Sequence, residues 1–136
     1  MDAILARTRV IALVGASPNP SRASHRVGDF LAGRGYRVIP VNPGQAGRTL
    51  FGETARADLS ALAAEGIRVD MVDIFRQSAH AGAVVDEAIA ALGPLGLATI
   101  WMQLGVVDDD AAARARAAGL DVVMDRCPKI ELERPG

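Results

Sequence analysis

In the stretch VIALVGASPNPSRASHRVG, residues Val10–Gly28, the pattern changes from that of a strand to that of a helix, and the rest of the chain can be interpreted from this change. Five apolar residues lead into the small residues Gly15, Ala16 and Ser17, and a polar loop with two prolines precedes a helical pattern that opens near Ser24. A buried strand that ends in a small-residue turn and enters a helix forms an anion site, because free backbone amides and the helix dipole face outward there. The stretch therefore predicts an α/β protein with a phosphate-binding first turn.

Four further apolar segments follow, separated by helical patterns. The predicted strands are Val10–Val14, Arg37–Val41, Val69–Ile74, Leu97–Met102 and Leu120–Met124. The predicted helices are Ser24–Arg34, a short helix at Leu59–Ala63, Ser78–Leu92 and Asp108–Ala118, and Ser24 is the predicted N-cap of the first. Gln45–Gly52 is predicted to be a loop, and the tail beyond Ile130 is predicted to be at most partly ordered. This alternation predicts one α/β domain, residues 1–136, with a doubly wound, open parallel five-stranded sheet. Ligands of such sheets bind where the strand order reverses, which we place between the first and fourth strands.

The composition predicts an ordinary globular domain and argues against nucleic-acid and membrane partners. Half of the 136 residues are hydrophobic, 23% are charged and the net charge is −1, so nothing favours nucleic-acid binding. No apolar run approaches the ~18 residues of a membrane span, and the first residues lack the pattern of a signal peptide. Cys127 is the single cysteine, which excludes an internal disulfide and fits a reducing compartment. We expect a cytoplasmic protein without membrane or nucleic-acid partners.

Polar, glycine-bearing and cationic residues follow the predicted strands, so they should meet at one edge of the sheet. That edge suits a ligand with several phosphates and some apolar surface. Plain NAD is disfavoured, because Gly15 is not followed by the spacing G-x-G-x-x-G and the second strand ends in Asn42 instead of an acidic residue. The neutral end of the second strand, with Arg48 nearby, is better suited to a ribose that carries a phosphate.

Five segments, in order, resemble one known family. They are Val14–Ser17, Gly35–Pro43, Val72–Arg76, Trp101–Val106 and Met124–Lys129. The chain resembles, from about Val10 to Ile130, the bacterial CoA-binding domain proteins, which are stand-alone Rossmann-like proteins similar to the N-terminal domain of the succinyl-CoA synthetase alpha subunit. The resemblance implies that coenzyme A, or an acyl-CoA, lies across the strand ends. Ligase chemistry is not implied, since the phosphorylated histidine of the synthetase lies in a second domain.

The resemblance also implies roles for particular residues. By resemblance, Gly15, Ala16 and Ser17 would hold the pyrophosphate, Val41, Asn42 and Pro43 would border the adenosine, Asp73, Phe75 and Arg76 would line the adjacent wall, and Gln103 and Gly105 would lie on the pantetheine side, with Met102 beside them. One or two of Arg22, Arg26, Arg48 and Arg76 are expected to contact phosphate, with Arg48 and Arg76 ranked ahead of the other two. Ser24 is a helix cap, a ligand or both. Asp73 is also expected to order a loop by accepting backbone N–H bonds.

No catalytic or metal site can be named from the sequence. Neither His25 nor His80 forms part of a recognisable triad, and neither has partners at metal spacing. We therefore predict a non-catalytic CoA binder with a sensing, carrier or regulatory role. The alternatives are a small oxidoreductase or acyl-CoA-using enzyme with the same cleft, and a subunit whose partner supplies catalysis; homodimerisation also stays open.

Cys127 is either a partly buried turn residue or the partner of the CoA thiol in a mixed disulfide. Gly15→Val is expected to remove CoA binding and leave a folded protein.

Overall fold

Five parallel strands form the central sheet of the computed structural model, which describes residues 2–134. The strands of this sheet are β1 (Val10–Val14), β2 (Arg37–Val41), β5 (Met71–Ile74), β6 (Thr99–Met102) and β7 (Asp121–Val123). Two further short strands, β3 (Thr49–Leu50) and β4 (Glu53–Thr54), form a separate two-stranded sheet. The α-helices are α1 (Asp2–Arg7), α2 (Ala23–Gly33), α3 (Leu59–Ala64), α4 (Ser78–Leu92), α5 (Asp109–Ala117) and α6 (Pro128–Glu133), with short 3-10 helices at Pro43–Gln45 and Gly93–Leu95. The predicted doubly wound α/β fold is confirmed.

The sheet order is β2-β1-β5-β6-β7. At the carboxyl end of β1, Val14 lies beside Val41 on one neighbour and Ile74 on the other. The order therefore reverses between β1 and β5, and the predicted reversal between the first and fourth strands is wrong. The crossover through α3 carries the chain to the other side of β1, and each later strand is then added outward. The ligand position expected for this topology is the crevice above β1 and β5.

Each face of the sheet is covered by three helices. One apolar cluster joins β-strand residues to α3, α4 and α5, and includes Val72, Ile100 and Met102. The other joins the opposite face to α1, α2 and α6, and includes Leu13 and Trp101. Strands covered on both faces carry few polar residues, which explains why these strands are largely apolar in the sequence; Asp73 in β5 and Thr99 in β6 are buried exceptions.

Several predicted boundaries differ from the structure. Helix α2 begins at Ala23 with Arg22 as N-cap, and Ser24 is buried in its first turn, so the prediction of Ser24 as the cap is wrong. The segment predicted as loop, Gln45–Gly52, contains β3, which pairs with β4 in an antiparallel hairpin. The carboxyl-terminal segment forms α6, which packs against α1 and α2, so its order continues beyond Ile130; residues 135 and 136 lie outside the described part of the chain. Turn residues and tertiary packing outweigh local pattern in all three places.

The β3–β4 hairpin is held on α2 by Phe51, whose ring lies over a glycine of that helix. A Cβ at Gly28 would lie 2.3 Å from Phe51 Cζ, so the helix has a glycine where the ring packs. Phe51 itself has a φ of 57°, which places this aromatic residue in the left-handed region. Among the helices of the described residues, none is long and apolar enough to cross a membrane.

Candidate functional site

A cleft opens at the carboxyl end of β1, between the first turn of the chain after that strand and the start of α2. We call it the first-turn cleft; its volume is about 370 Å³, and it is lined by Gly15, Ser17, Arg22, Ala23, Ser24 and Phe75. Phe75 follows β5, so the cleft lies at the observed reversal of strand order. Its position agrees with the general rule for open parallel sheets.

Gly15 lets the chain turn at the floor of this cleft. Its φ is 91°, and a Cβ built there would lie 2.2 Å from the carbonyl oxygen of Phe75. Its backbone N–H donates to the carbonyl oxygen of Val41 at 2.9 Å, so this amide continues the sheet and is not available to a ligand. Gly15 therefore contributes close approach of the backbone, whereas any amide donors for a ligand come from later residues.

His25 fixes the loop that follows. Its Nδ1 lies 2.9 Å from the carbonyl oxygen of Ser17, and its Nε2 lies 3.2 Å from Asp29 Oδ2. A ring nitrogen that faces a carbonyl oxygen must donate, so Nδ1 carries a hydrogen and cannot accept a proton from the Ser17 hydroxyl. The serine, histidine and aspartate are close together, but they lack the hydrogen bond between nucleophile and base that a triad requires. This group positions the Ser17 backbone.

The first-turn cleft is suited to an anion. Arg22 is exposed at its edge, and no carboxylate lines it. Within residues 2–134, the hydrogen bonds do not use the backbone amides of Ala23 and Ser24, which begin an eleven-residue helix and so lie at its positive end. A phosphate there would meet two free amides and one guanidinium.

The cleft continues into a second, mainly apolar depression that crosses the sheet toward α6. We call it the apolar groove; its volume is about 380 Å³, and it is lined by Ala23, Arg26, Val27, Phe75, Gln103, Leu104, Cys127, Lys129 and Ile130. It shares Ala23 and Phe75 with the first-turn cleft. Beyond it lies a distal cavity of about 410 Å³, lined by Leu104, Met124, Asp125, Arg126, Cys127, Ile130, Glu131 and Arg134. The apolar groove and the distal cavity share Leu104, Cys127 and Ile130, so the three volumes follow one another across the strand ends.

Two buried side chains on this side of the sheet have oxygen atoms with no hydrogen-bond partner among residues 2–134. Gln103, which lines the apolar groove, is 5% exposed, and the unpartnered atom is its Oε1. Asp73 pairs in register with Leu13 and Trp101, which places its side chain on the face that carries α2 and α6. Asp73 is fully buried and neither of its carboxylate oxygens has a partner in this part of the chain; burial raises its pKa well above the ordinary value. The expectation that Asp73 accepts backbone N–H bonds is wrong; Asp70, at the other end of the strand, accepts them from Arg9 and Val10.

Asp73→Asn is expected to flatten the dependence of stability on pH. Because the folded-state pKa of Asp73 is raised, the folded chain keeps this proton after the unfolded chain has released it. The free energy of unfolding of the wild type should therefore fall, relative to the variant, as pH rises from about 4 toward the raised pKa, by at most about 1.4 kcal/mol per pH unit. Urea unfolding of both proteins between pH 4 and 8 measures this. Parallel curves would show that the Asp73 carboxyl is already ionised in the folded state.

The residues proposed from sequence fall into two groups in the structure. Gly15, Ser17, Arg22, Ser24 and Phe75 line the first-turn cleft, and Gln103 lines the apolar groove. The others do not line these volumes. Ala16, Val41 and Met102 are buried in the apolar clusters, and Asp73 is buried with no partner among the described residues. Asn42 Nδ2 donates to the Ala16 carbonyl oxygen and Asn42 Oδ1 accepts from the Gly44 N–H, while the Gly105 N–H donates to Asp125 Oδ1. Pro43, Arg48 and Arg76 are exposed. Met102 belongs to the cluster on the opposite face of the sheet.

Sequence reasoning missed most of the apolar groove. Val27, Leu104 and Ile130 come from three distant segments. Leu104 lies in the segment Trp101–Val106 that carries the family resemblance but was not proposed as a site residue, and Val27 and Ile130 lie in none of the five segments. Leu104 and Ile130 are 54% and 43% exposed, which is unusual for large apolar residues beside a cavity. The helix α6 carries Ile130, so the groove could be found only after that helix was known.

The five-stranded parallel sheet with helices on both faces defines an α/β domain of the Rossmann-like class. The family model described as a CoA binding domain matches residues 9–133, and the chain belongs to this CoA-binding domain family. The Bacillus subtilis (strain 168) protein YneT is 33% identical over 127 residues, covering 93% of this chain and 87% of YneT.

Two solved structures are similar over nearly the whole chain. One, described as cell-free ID.343 from Thermus thermophilus, is 36% identical with a TM-score of 0.84, over 97% of this chain and 93% of the other. The second is a hypothetical protein from Pyrococcus horikoshii OT3, 32% identical with a TM-score of 0.85, over 97% of this chain and 87% of the other. Both likenesses support the parallel-sheet fold.

Proposed function

We propose that this protein binds coenzyme A or an acyl-CoA non-covalently, with the diphosphate in the first-turn cleft and the pantetheine arm in the apolar groove. The observation that carries the proposal is the continuity of the two volumes through Ala23 and Phe75. A polar, cationic cleft that opens into an apolar groove matches a ligand with phosphates at one end and a largely apolar arm at the other. The family assignment supports the same ligand.

The dimensions of the sheet support this placement. The strands from β1 to β7 are separated by three spacings, in the order β1-β5-β6-β7, which gives roughly 14 Å at about 4.8 Å each. The pantetheine arm has about twelve bonds between phosphate and sulfur, as many as four residues of extended chain, or roughly 13–14 Å. The arm therefore reaches from the end of β1 to the segment after β7.

Gln103 provides a polar contact for this arm. Gln103 lines the apolar groove, and its buried Oε1 has no hydrogen-bond donor among the described residues. An amide N–H of the arm would supply the donor that this acceptor lacks. An otherwise costly buried acceptor is then explained by the ligand that completes its bonding.

We further propose that the role is sensing, carrying or regulation in the cytoplasm and not catalysis. Both nitrogens of His25 contact other groups, and Ser17 Oγ accepts a hydrogen bond from the Asn19 amide, so this group contains no activated nucleophile. The free thiol of Cys127 fits a reducing compartment. Binding and release of the ligand are the chemistry that this arrangement supports.

A thermal-shift comparison of CoA, acetyl-CoA, ATP, NAD and NADP tests the proposal. CoA at ten times its dissociation constant should add about 1.4 kcal/mol to the free energy of unfolding and raise the melting temperature accordingly. Acetyl-CoA should behave similarly, since the sulfur lies beyond the groove residues that hold the arm. NAD should have no effect. A shift with NAD or NADP and none with CoA would instead favour an oxidoreductase and end this proposal.

A further inference from the structure

The thiol of Cys127 lies where the apolar groove meets the distal cavity. Cys127 lines both volumes and is 6% exposed. Its backbone is held on both sides: Trp101 Nε1 donates to the carbonyl oxygen of Arg126 at 2.8 Å, and the Cys127 carbonyl oxygen accepts from the Glu131 amide at 3.0 Å. These bonds hold the Cys127 backbone where the apolar groove meets the distal cavity.

A second feature of the same groove points to a ligand beside this cysteine. Gln103 lines the apolar groove with Cys127 and is 5% exposed, and its buried Oε1 has no hydrogen-bond partner among the described residues. A buried amide oxygen left unpaired costs free energy, which a hydrogen-bond donor in the groove would recover. The arm length and strand spacings given above bring the sulfur end of such a ligand to the segment after β7, which contains Cys127.

We propose that Cys127 exchanges disulfides with coenzyme A disulfide and so records the oxidation state of the CoA pool. This inference rests on the proposed function, because the adenosine diphosphate end must be held in the first-turn cleft for the sulfur to reach the thiol. The product is a mixed disulfide between Cys127 and one CoA. The protein then responds to oxidised CoA by covalent capture and to reduced CoA by non-covalent binding.

The exchange is balanced with coenzyme A disulfide as the only co-reactant. Cys127 gives up its thiol proton to solvent, and Sγ attacks the sulfur of the half that lies in the groove. The Sγ–S bond forms as the S–S bond of the CoA disulfide breaks, and the other half leaves as a thiolate that takes up a proton. Cys127 is oxidised and the departing CoA is reduced. The distal cavity, on the far side of Cys127, provides the exit for the departing half.

Burial of the thiol makes the exchange selective. A small disulfide without an adenosine diphosphate end has no anchor in the first-turn cleft and must reach a side chain that is 6% exposed. An anchored disulfide instead presents its sulfur at a high effective concentration. Coenzyme A disulfide should therefore react faster than glutathione disulfide in the folded protein, and this preference should vanish when the chain is unfolded.

The test is intact-mass spectrometry of the full chain incubated with coenzyme A disulfide or with glutathione disulfide, in buffer and in concentrated urea. In buffer, we expect an adduct of one CoA less two hydrogen atoms, formed at least tenfold faster than the glutathione adduct, removed by dithiothreitol and absent in Cys127→Ser. Excess acetyl-CoA, whose sulfur is blocked, should slow the adduct at least fivefold. In urea the two rates should become similar.

Equal rates for the two disulfides in buffer, no adduct with coenzyme A disulfide, or an adduct unaffected by acetyl-CoA would overturn the inference. If wild-type protein still shows the thermal shift with reduced CoA in any of these cases, only the exchange at Cys127 is wrong and the proposed binding function stands. If reduced CoA gives no shift, the proposed function itself fails. The two failures are therefore separated by measurements on the same wild-type protein.

Discussion

Gly15→Ala is expected to lower the free energy of unfolding by about 4 kcal/mol, a large fraction of the stability of a domain of this size. Two costs combine at this position. A φ of 91° is strained for any residue with a side chain, and the new Cβ would lie 2.2 Å from the Phe75 carbonyl oxygen. Phe75 cannot easily move away, because its N–H donates to the Val14 carbonyl oxygen at 2.8 Å. Urea unfolding followed by circular dichroism measures the loss.

Gly35→Ala is the matched control. Gly35 has a φ of 97°, but a Cβ there meets nothing within 4 Å, so it pays only the backbone strain of about 1–2 kcal/mol. The difference between the two variants isolates the contact with Phe75. Equal losses would show that the floor of the first-turn cleft can relax. The larger Gly15→Val cannot leave the fold undisturbed, so the prediction that this variant separates binding from folding is wrong, and binding is better tested at the edge of the cleft.

Arg22→Gln is expected to weaken CoA binding about 30-fold, or about 2 kcal/mol, and to leave the fold intact. Arg22 lines the first-turn cleft, is exposed, and makes no ion pair within the described residues. Its guanidinium is free to pair with a phosphate, and a charge-assisted hydrogen bond contributes about 1.5–3 kcal/mol. Isothermal titration calorimetry gives the affinity, and the wild-type affinity should also fall as salt is raised.

Arg68→Gln controls for the loss of one positive charge. The Arg68 side chain is 72% exposed near the amino end of β5, on the opposite edge of the sheet, and its Nε lies 3.8 Å from Asp70 Oδ1. It should bind CoA as the wild type does. Arg48→Gln and Arg76→Gln complete the series, since sequence reasoning ranked these two arginines ahead of Arg22. A larger loss in either of them than in Arg22→Gln would move the phosphate site away from the first-turn cleft.

The sequence was sufficient for the strands of the central sheet, for helices α2 to α5 and for the polar half of the site. Mainly apolar runs predicted these five strands, because a strand covered on both faces does not alternate. The turn Gly15–Ser17 predicted the cleft, because a small-residue turn before a helix is a local feature. The ends of the elements were predicted less well. Ser24 was predicted as the N-cap of α2, but Arg22 is the N-cap. In the tail, helix α6 packs on α1 and α2, and these contacts with distant segments are not marked in the local sequence.

The sequence by itself therefore determined the class of fold, the strand-turn-helix unit at Gly15 and the family resemblance, since each depends on residues that are neighbours along the chain. Only the tertiary structure decided the place of β5 beside β1, the path from the first-turn cleft to Cys127, and the unpartnered state of Asp73 and Gln103. Strand order and burial depend on contacts between distant segments, whose free energies no local pattern records. The groove joins Val27, Gln103 and Ile130 across the sheet, and no spacing in the chain marks that they meet.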